Sequence, residues 1–131
     1  MTVSLPRRVV LAVAAAAVAI FASGYAAGAR LYQKPKTLIQ VVTIKWAADA
    51  APEQRRAALE GIEKLAADTP GIRSLWLRAV RVQPRDFMSA YAIEFDDLPS
   101  AERFPRHPAY ELWNKSFLPI IEESHSQQVS N

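Results

Sequence analysis

Cysteine is absent from all 131 residues, which excludes disulfides, thiolate nucleophiles and thiolate metal sites at once. Histidine is nearly absent: His107 and His125 are the only two, far apart and without the spacing of a metal-ligand pair. No metal and no cofactor is therefore expected, and no familiar catalytic motif is present. Charge of either sign is missing from Val9 to Ala29, a run of 21 residues rich in alanine and valine. Crossing about 30 Å of hydrocarbon takes about 20 helical residues, so the run is long enough for an anchor. Arg7 and Arg8 before it, and Ala27-Gly28-Ala29 before Arg30, equally fit a cleavable secretory signal.

Residues 1–30 are accordingly read as a signal peptide or an N-terminal membrane anchor. Positive charge flanks both ends, and the short basic head favours a domain outside the cytoplasm. The expected location is membrane-anchored, or secreted or periplasmic if the leader is cleaved. Once Arg7, Arg8 and Arg30 are set aside, residues 31–131 hold 13 basic and 13 acidic side chains. The net charge of +3 thus belongs to the leader. A neutral domain without a basic stripe is not expected to bind nucleic acid.

Residues 31–37 read as a linker containing Pro35, and 38–131 as one domain. The β-branched stretch 38–46 (LIQVVTIKW) predicts a strand with apolar neighbours on both faces. Pro52 opens a helix, with Ala58, Leu59, Ile62, Leu65 and Ala66 inward and Arg55, Arg56, Glu60, Glu63 and Lys64 on a solvated face. Pro70-Gly71 stops it. Alternation predicts a second strand over 72–83 and, after a turn at Pro84-Arg85-Asp86, a third over 87–95 with Phe87 and Tyr91 on one face. A helical region follows, broken at Pro105 and restarted at Pro108, with an inner stripe of Ala109, Leu112, Trp113, Ser116, Phe117 and Ile120. Pro119 predicts a kink near Lys115. The polar tail 124–131 reads as a short edge strand. The order is βαββαβ, an α+β ferredoxin-like arrangement.

Three segments, "VVTIKW", "TPGIRSLWL" and "RHPAYELWNKSFLPIIEE", together resemble the stress-responsive α/β-barrel (Dabb) domain family over about residues 38–130. The resemblance implies a ferredoxin-like protomer that forms a homodimer, a dimeric α+β barrel enclosed by two four-stranded sheets. For most members it implies stress-related roles and no known reaction. The family's plant polyketide cyclases are enzymes that use histidine and tyrosine acid/base groups. At the matching places this chain has Tyr110, Gln40 and Phe104, so that set is not present. Related barrels include haem-degrading monooxygenases, which combine Asn, Trp and His. Asn114, Trp76 and His107 supply those types, but Asn114 lies on a helix rather than a first strand.

The candidate site residues follow from these readings. His107, just before Pro108, is either a helix cap or a general base at a cavity mouth. Trp46, Trp76, Tyr91 and Tyr110, with Trp113, either line a pocket for a small apolar ligand or belong to the core and the dimer interface. Lys45 shares a face with Val41 and Thr43 and is a base, an acid binder or a snorkelling side chain. His125 belongs to a solvent-facing tail. Two functions compete: a non-catalytic dimeric domain that holds an apolar ligand, and a small enzyme using His107. A buried acid/base group facing a cavity discriminates them. A third reading is an adaptor whose charged first helix docks another protein.

Overall fold

β-Branched residues populate Leu38–Trp46 (β1), and their alternation divides the sheet into two unequal faces. Leu38, Val42, Ile44 and Trp46 are buried, whereas Ile39, Val41, Thr43 and Lys45 are only half-covered. The computed structural model describes Pro6, Arg8, Ala12, Ala15, Ala16, Val18, Ala19 and residues 32–131. The chain divides into units at 1–34 and 35–131, and the second holds all four strands of the sheet. The leader expected over residues 1–30 lies almost entirely outside the described residues. Among these, no helix is long and apolar enough to cross a membrane.

The remaining elements are α1 (Pro52–Ala67), β2 (Ile72–Trp76), β3 (Ser89–Phe95), α2 (Leu98–Arg103), α3 (Pro108–Phe117) and β4 (Ile121–Ser130). Single 3₁₀ turns at Phe104–Arg106 and Leu118–Ile120 flank α3. The four strands form one antiparallel sheet in the order β2-β3-β1-β4. With α2 and α3 counted as one interrupted helical region, this is the expected ferredoxin-like α+β fold.

The helices cover one face. Ala58, Ile62 and Leu65 of α1, with Trp113 and Phe117 of α3, close over Ile44, Tyr91, Ile93 and Phe95. Close approach of the two helices depends on Gly61: a Cβ there would lie 3.1 Å from Cδ1 of Trp113. That proximity lets the Trp113 indole N–H donate to the Ala58 carbonyl at 2.8 Å. At the far end of α1, Gly71 takes φ +89°, a conformation that L side chains rarely adopt. A Cβ at Gly71 would also meet the Ser100 hydroxyl at 2.5 Å.

Several local expectations need correction. β2 stops at Trp76 instead of reaching residue 83, because its ladder with β3 ends at the Trp76–Ala92 pair and the chain leaves the sheet there. The turn at 84–87 is present, closed by the Phe87 N–H donating to the Pro84 carbonyl at 3.0 Å. β3 begins only at Ser89, and Phe87 does not share the Tyr91 face. It is buried against His125, whose strand partner Thr43 lies on the opposite side of the sheet. In α3, Leu112 (73% exposed) and Ser116 face outward, leaving Trp113 and Phe117 as the inner contacts. Pro119 produces no kink at Lys115: α3 ends at Phe117, and Pro119 sits in the first turn of the following 3₁₀ segment, where its missing N–H is harmless. The tail is a full ten-residue strand, paired with β1 along its length.

Candidate functional site

The aromatic residues singled out in the sequence fall on two sides of the sheet. Trp46, Tyr91 and Tyr110 lie on the helical side with Trp113; Trp76 lies on the other. On the helical side the rings fill space instead of enclosing it. Trp113 stacks on Phe117 at 4.5 Å, and Tyr110 contacts Trp113 at 5.9 Å and Phe104 at 4.9 Å. Tyr91 meets Trp113 edge-on at 6.2 Å. Burial raises the Tyr91 phenol well above its ordinary pKa, with the neighbouring Tyr110 adding to the effect, and burial raises Tyr110 as well. Both phenols therefore stay protonated near neutral pH and serve as packing groups, not bases.

Trp46 differs. Its ring packs edge-on against Phe117 at 6.2 Å, and its indole N–H donates to the Ser89 hydroxyl at 2.8 Å. Above this pair opens a cleft of about 570 Å³ between α1 and the segments at 77–78 and 88–89. That volume is in the range of small-molecule sites. Its apolar lining is Trp46, Leu59, Leu77 and Met88, and its charged lining is Arg55, Arg56, Glu60 and Arg78. Arg55 is half-buried and fixed by its Nε–H to the Ala50 carbonyl at 2.9 Å. Sequence periodicity assigned Arg55, Arg56 and Glu60 to a merely solvated face. Nothing in the sequence signals that this edge of α1 overhangs Trp46, since the overhang exists only once α1 packs on the sheet.

On the opposite face, the chain that leaves β2 returns over the sheet and encloses a smaller cleft of about 280 Å³. Val41, Thr43, Trp76, Ala90, Tyr91 and Ala92 line its floor, and parts of 78–83 its wall. Trp76 is 48% exposed here. Because Asn114 is on α3 and Trp76 on the helix-free face, the monooxygenase-like combination with His107 is not assembled.

His107 sits at the N-terminus of α3 in extended backbone, with Nδ1 accepting from the Ala109 N–H at 3.2 Å. That is an N-cap contact, satisfying one of the orphan donors of the first turn. Neither cleft described above is lined by His107 or Tyr110. Replacing His107 by alanine is expected to lower stability by about 1 kcal/mol, and His107→Asn to restore most of it, as for caps elsewhere. Urea denaturation of the two variants checks this; an equal loss in both would remove the capping role.

Lys45 is engaged rather than free. Its ammonium lies 2.8 Å from Glu122 and 3.5 Å from Asp86. The hydrogen bond to Glu122, reinforced by both carboxylates, holds the amine above its ordinary pKa, so it is a fixed cation and not a base. His125, on the tail strand, contacts Glu123 at 2.8 Å. No group of three or more His, Asp or Glu side chains suited to a metal occurs among the described residues.

Solved structures share this architecture. One is a dimeric protein of unknown function and ferredoxin-like fold from Bacteroides fragilis (18% identity, TM-score 0.61, covering 76% of this chain and 100% of the other). A Dabb family protein with a ferredoxin-like fold from Mesorhizobium loti is similar (15% identity, TM-score 0.62, 72% and 96%). So is the hydroxynitrile lyase from Passiflora edulis (15% identity, TM-score 0.64, 72% and 93%). The matched part makes up nearly the whole of each of these chains. No curated protein matches the chain. The model of the stress responsive A/B barrel domain, Dabb, matches residues 39–129, most of the chain, and the chain belongs to that family.

Proposed function

We propose that this protein is a non-catalytic Dabb domain that works as a homodimer and holds a small apolar ligand, carried outside the cytoplasm by its N-terminal leader as an anchored or a cleaved, exported form. The observation that carries the reading is the open cleft over Trp46. It has an apolar floor and no acid/base group except the Glu60 carboxylate, which Arg56 faces at 3.7 Å. The alternative, an enzyme on the same scaffold acting through His107, draws on the lyase among the structural neighbours. It is less well supported, because His107 is committed to capping and Tyr110 to packing.

Dimerisation is supported by the helix-free face of the sheet, where Ile39, Val41, Ala90 and Ala92 lack a covering layer of helices. The Bacteroides neighbour is itself dimeric. Native mass spectrometry of residues 35–131 purified gently from the source cells tests both parts. The expected spectrum is a dimer carrying a reproducible added mass. An empty dimer would remove the ligand and leave an interaction role; a monomer would remove the barrel.

A further inference from the structure

The walls of the Trp46 cleft are not as apolar as its floor. Three guanidinium groups, Arg55, Arg56 and Arg78, face one carboxylate, Glu60. Arg56 and Glu60 pair loosely with each other at 3.7 Å, one turn apart on α1. Arg55 spends its Nε–H on the Ala50 carbonyl, which fixes the stem and leaves the terminal nitrogens for another acceptor. Arg78 makes no ion pair among the described residues, and it comes from the opposite wall, on the chain leaving β2. Two cations from separate elements thus border a cleft that holds an indole, a leucine pair and a methionine, and Arg78 also borders the smaller cleft on the other face. Met88 is 69% exposed, an apolar side chain held at the mouth in water.

We propose that this cleft takes a single-chain amphiphile with a carboxylate head: the tail lies on Trp46, Leu59, Leu77 and Met88, and the head is clamped between Arg55 and Arg78. The inference rests on the apolar-ligand reading above and adds the head group. Guanidinium suits this role because its planar fork matches a carboxylate with two parallel hydrogen bonds. A wholly apolar ligand would leave both cations to be partly desolvated with no compensating acceptor, which is unfavourable. A more strongly charged ligand without a tail would not use the floor.

Isothermal titration calorimetry of residues 35–131 with decanoate, and separately with decanol, tests the proposal. Decanoate is expected to bind at one site per chain at least tenfold tighter than decanol. Arg78→Gln should lower decanoate affinity about tenfold and leave decanol unchanged; Arg55→Gln should act in the same direction. Arg78 is exposed and outside the strands, so its replacement leaves the fold intact, as circular dichroism would verify. Equal binding of decanoate and decanol would overturn the head-group assignment while the apolar-ligand reading stood. Binding of neither would remove both. Tight decanoate binding unchanged in the two arginine variants would place the site elsewhere and overturn the proposal.

Discussion

Trp76→Glu is expected to convert the proposed homodimer into a folded monomer. Trp76 pairs with Ala92 across β2 and β3, so its ring projects from the side of the sheet that no helix covers. Val41 pairs with the same Ala92 from the other strand, and Ile39 lies two residues along on that face. The result is a half-exposed indole set in a small-residue, β-branched surface, the kind of centre on which interface energy concentrates. Truncating such an aromatic anchor commonly costs about 2 kcal/mol or more. An unpaired carboxylate buried in its place adds about 3 kcal/mol or more. At about 1.4 kcal/mol per tenfold, the dissociation constant should rise at least a hundredfold. The core of each protomer lies on the other face, so the thermal transition of the monomer should survive. Sedimentation equilibrium reads the outcome, and Val41→Lys provides an independent second lesion on the same face. If both variants remain dimers of unchanged affinity, the interface lies elsewhere, for instance along the free edge of β4.

The fold was legible wherever one face of an element is apolar and the other is not. α1 shows this: Ala58, Ile62 and Leu65 announce the buried side, and all three are buried. β1 was legible for another reason, since nine residues without a turn former leave little but a strand. β4 was underread because its residues after Ile121 are exposed throughout, so no alternation marks it. Polar and charged side chains on an edge strand discourage pairing with other chains, and the same choice hides the strand from pattern reading. β2 was overread for the converse reason. Leu77 to Val82 keeps an alternating pattern after the chain has left the sheet, because this segment lies over the sheet and still covers apolar surface.

The candidate site was legible in its parts and not in its assembly. Of the four aromatic candidates, Trp46 floors one cleft, Trp76 and Tyr91 border the other, and Tyr110 lines neither and packs against Phe104 and Trp113. Trp46 and Tyr91 follow a strand's alternation and Tyr110 lies on a helix, and neither pattern separates a ring that meets other rings from one beneath an opening. Arg78 reaches the cleft because the strand ends at Trp76, which the alternation over 72–83 does not show. The proline after His107 marks a helix start but leaves cap and general base as alternatives; the choice rests on the Ala109 N–H donating to His107 Nδ1, which only the folded helix shows.

The largest loss of stability is expected from Trp113→Ala, and its partner Gly61 offers a way to show why. Trp113 is 8% exposed, stacks on Phe117, contacts Tyr91 and Tyr110, and donates to the Ala58 carbonyl. Deleting it removes the ring shared by α1, α3 and β3, for an expected cost of about 3–5 kcal/mol. Total stabilities of small domains are about 5–15 kcal/mol, so the variant should sit near the edge of folding. Trp113→Phe keeps the stack and drops the N–H, and should lose only about 1–2 kcal/mol. Gly61 separates the packing contribution from the helix contribution. Alanine at 61 is worth up to about 1 kcal/mol to an exposed helix, but here its Cβ would press on the indole from 3.1 Å. Gly61→Ala should therefore be neutral or destabilising with Trp113 in place, and stabilising once Trp113 is alanine. Urea denaturation of the four chains gives the coupling directly. Additive effects would mean that the α1–α3 approach does not depend on the glycine, and that its place beneath the tryptophan is incidental.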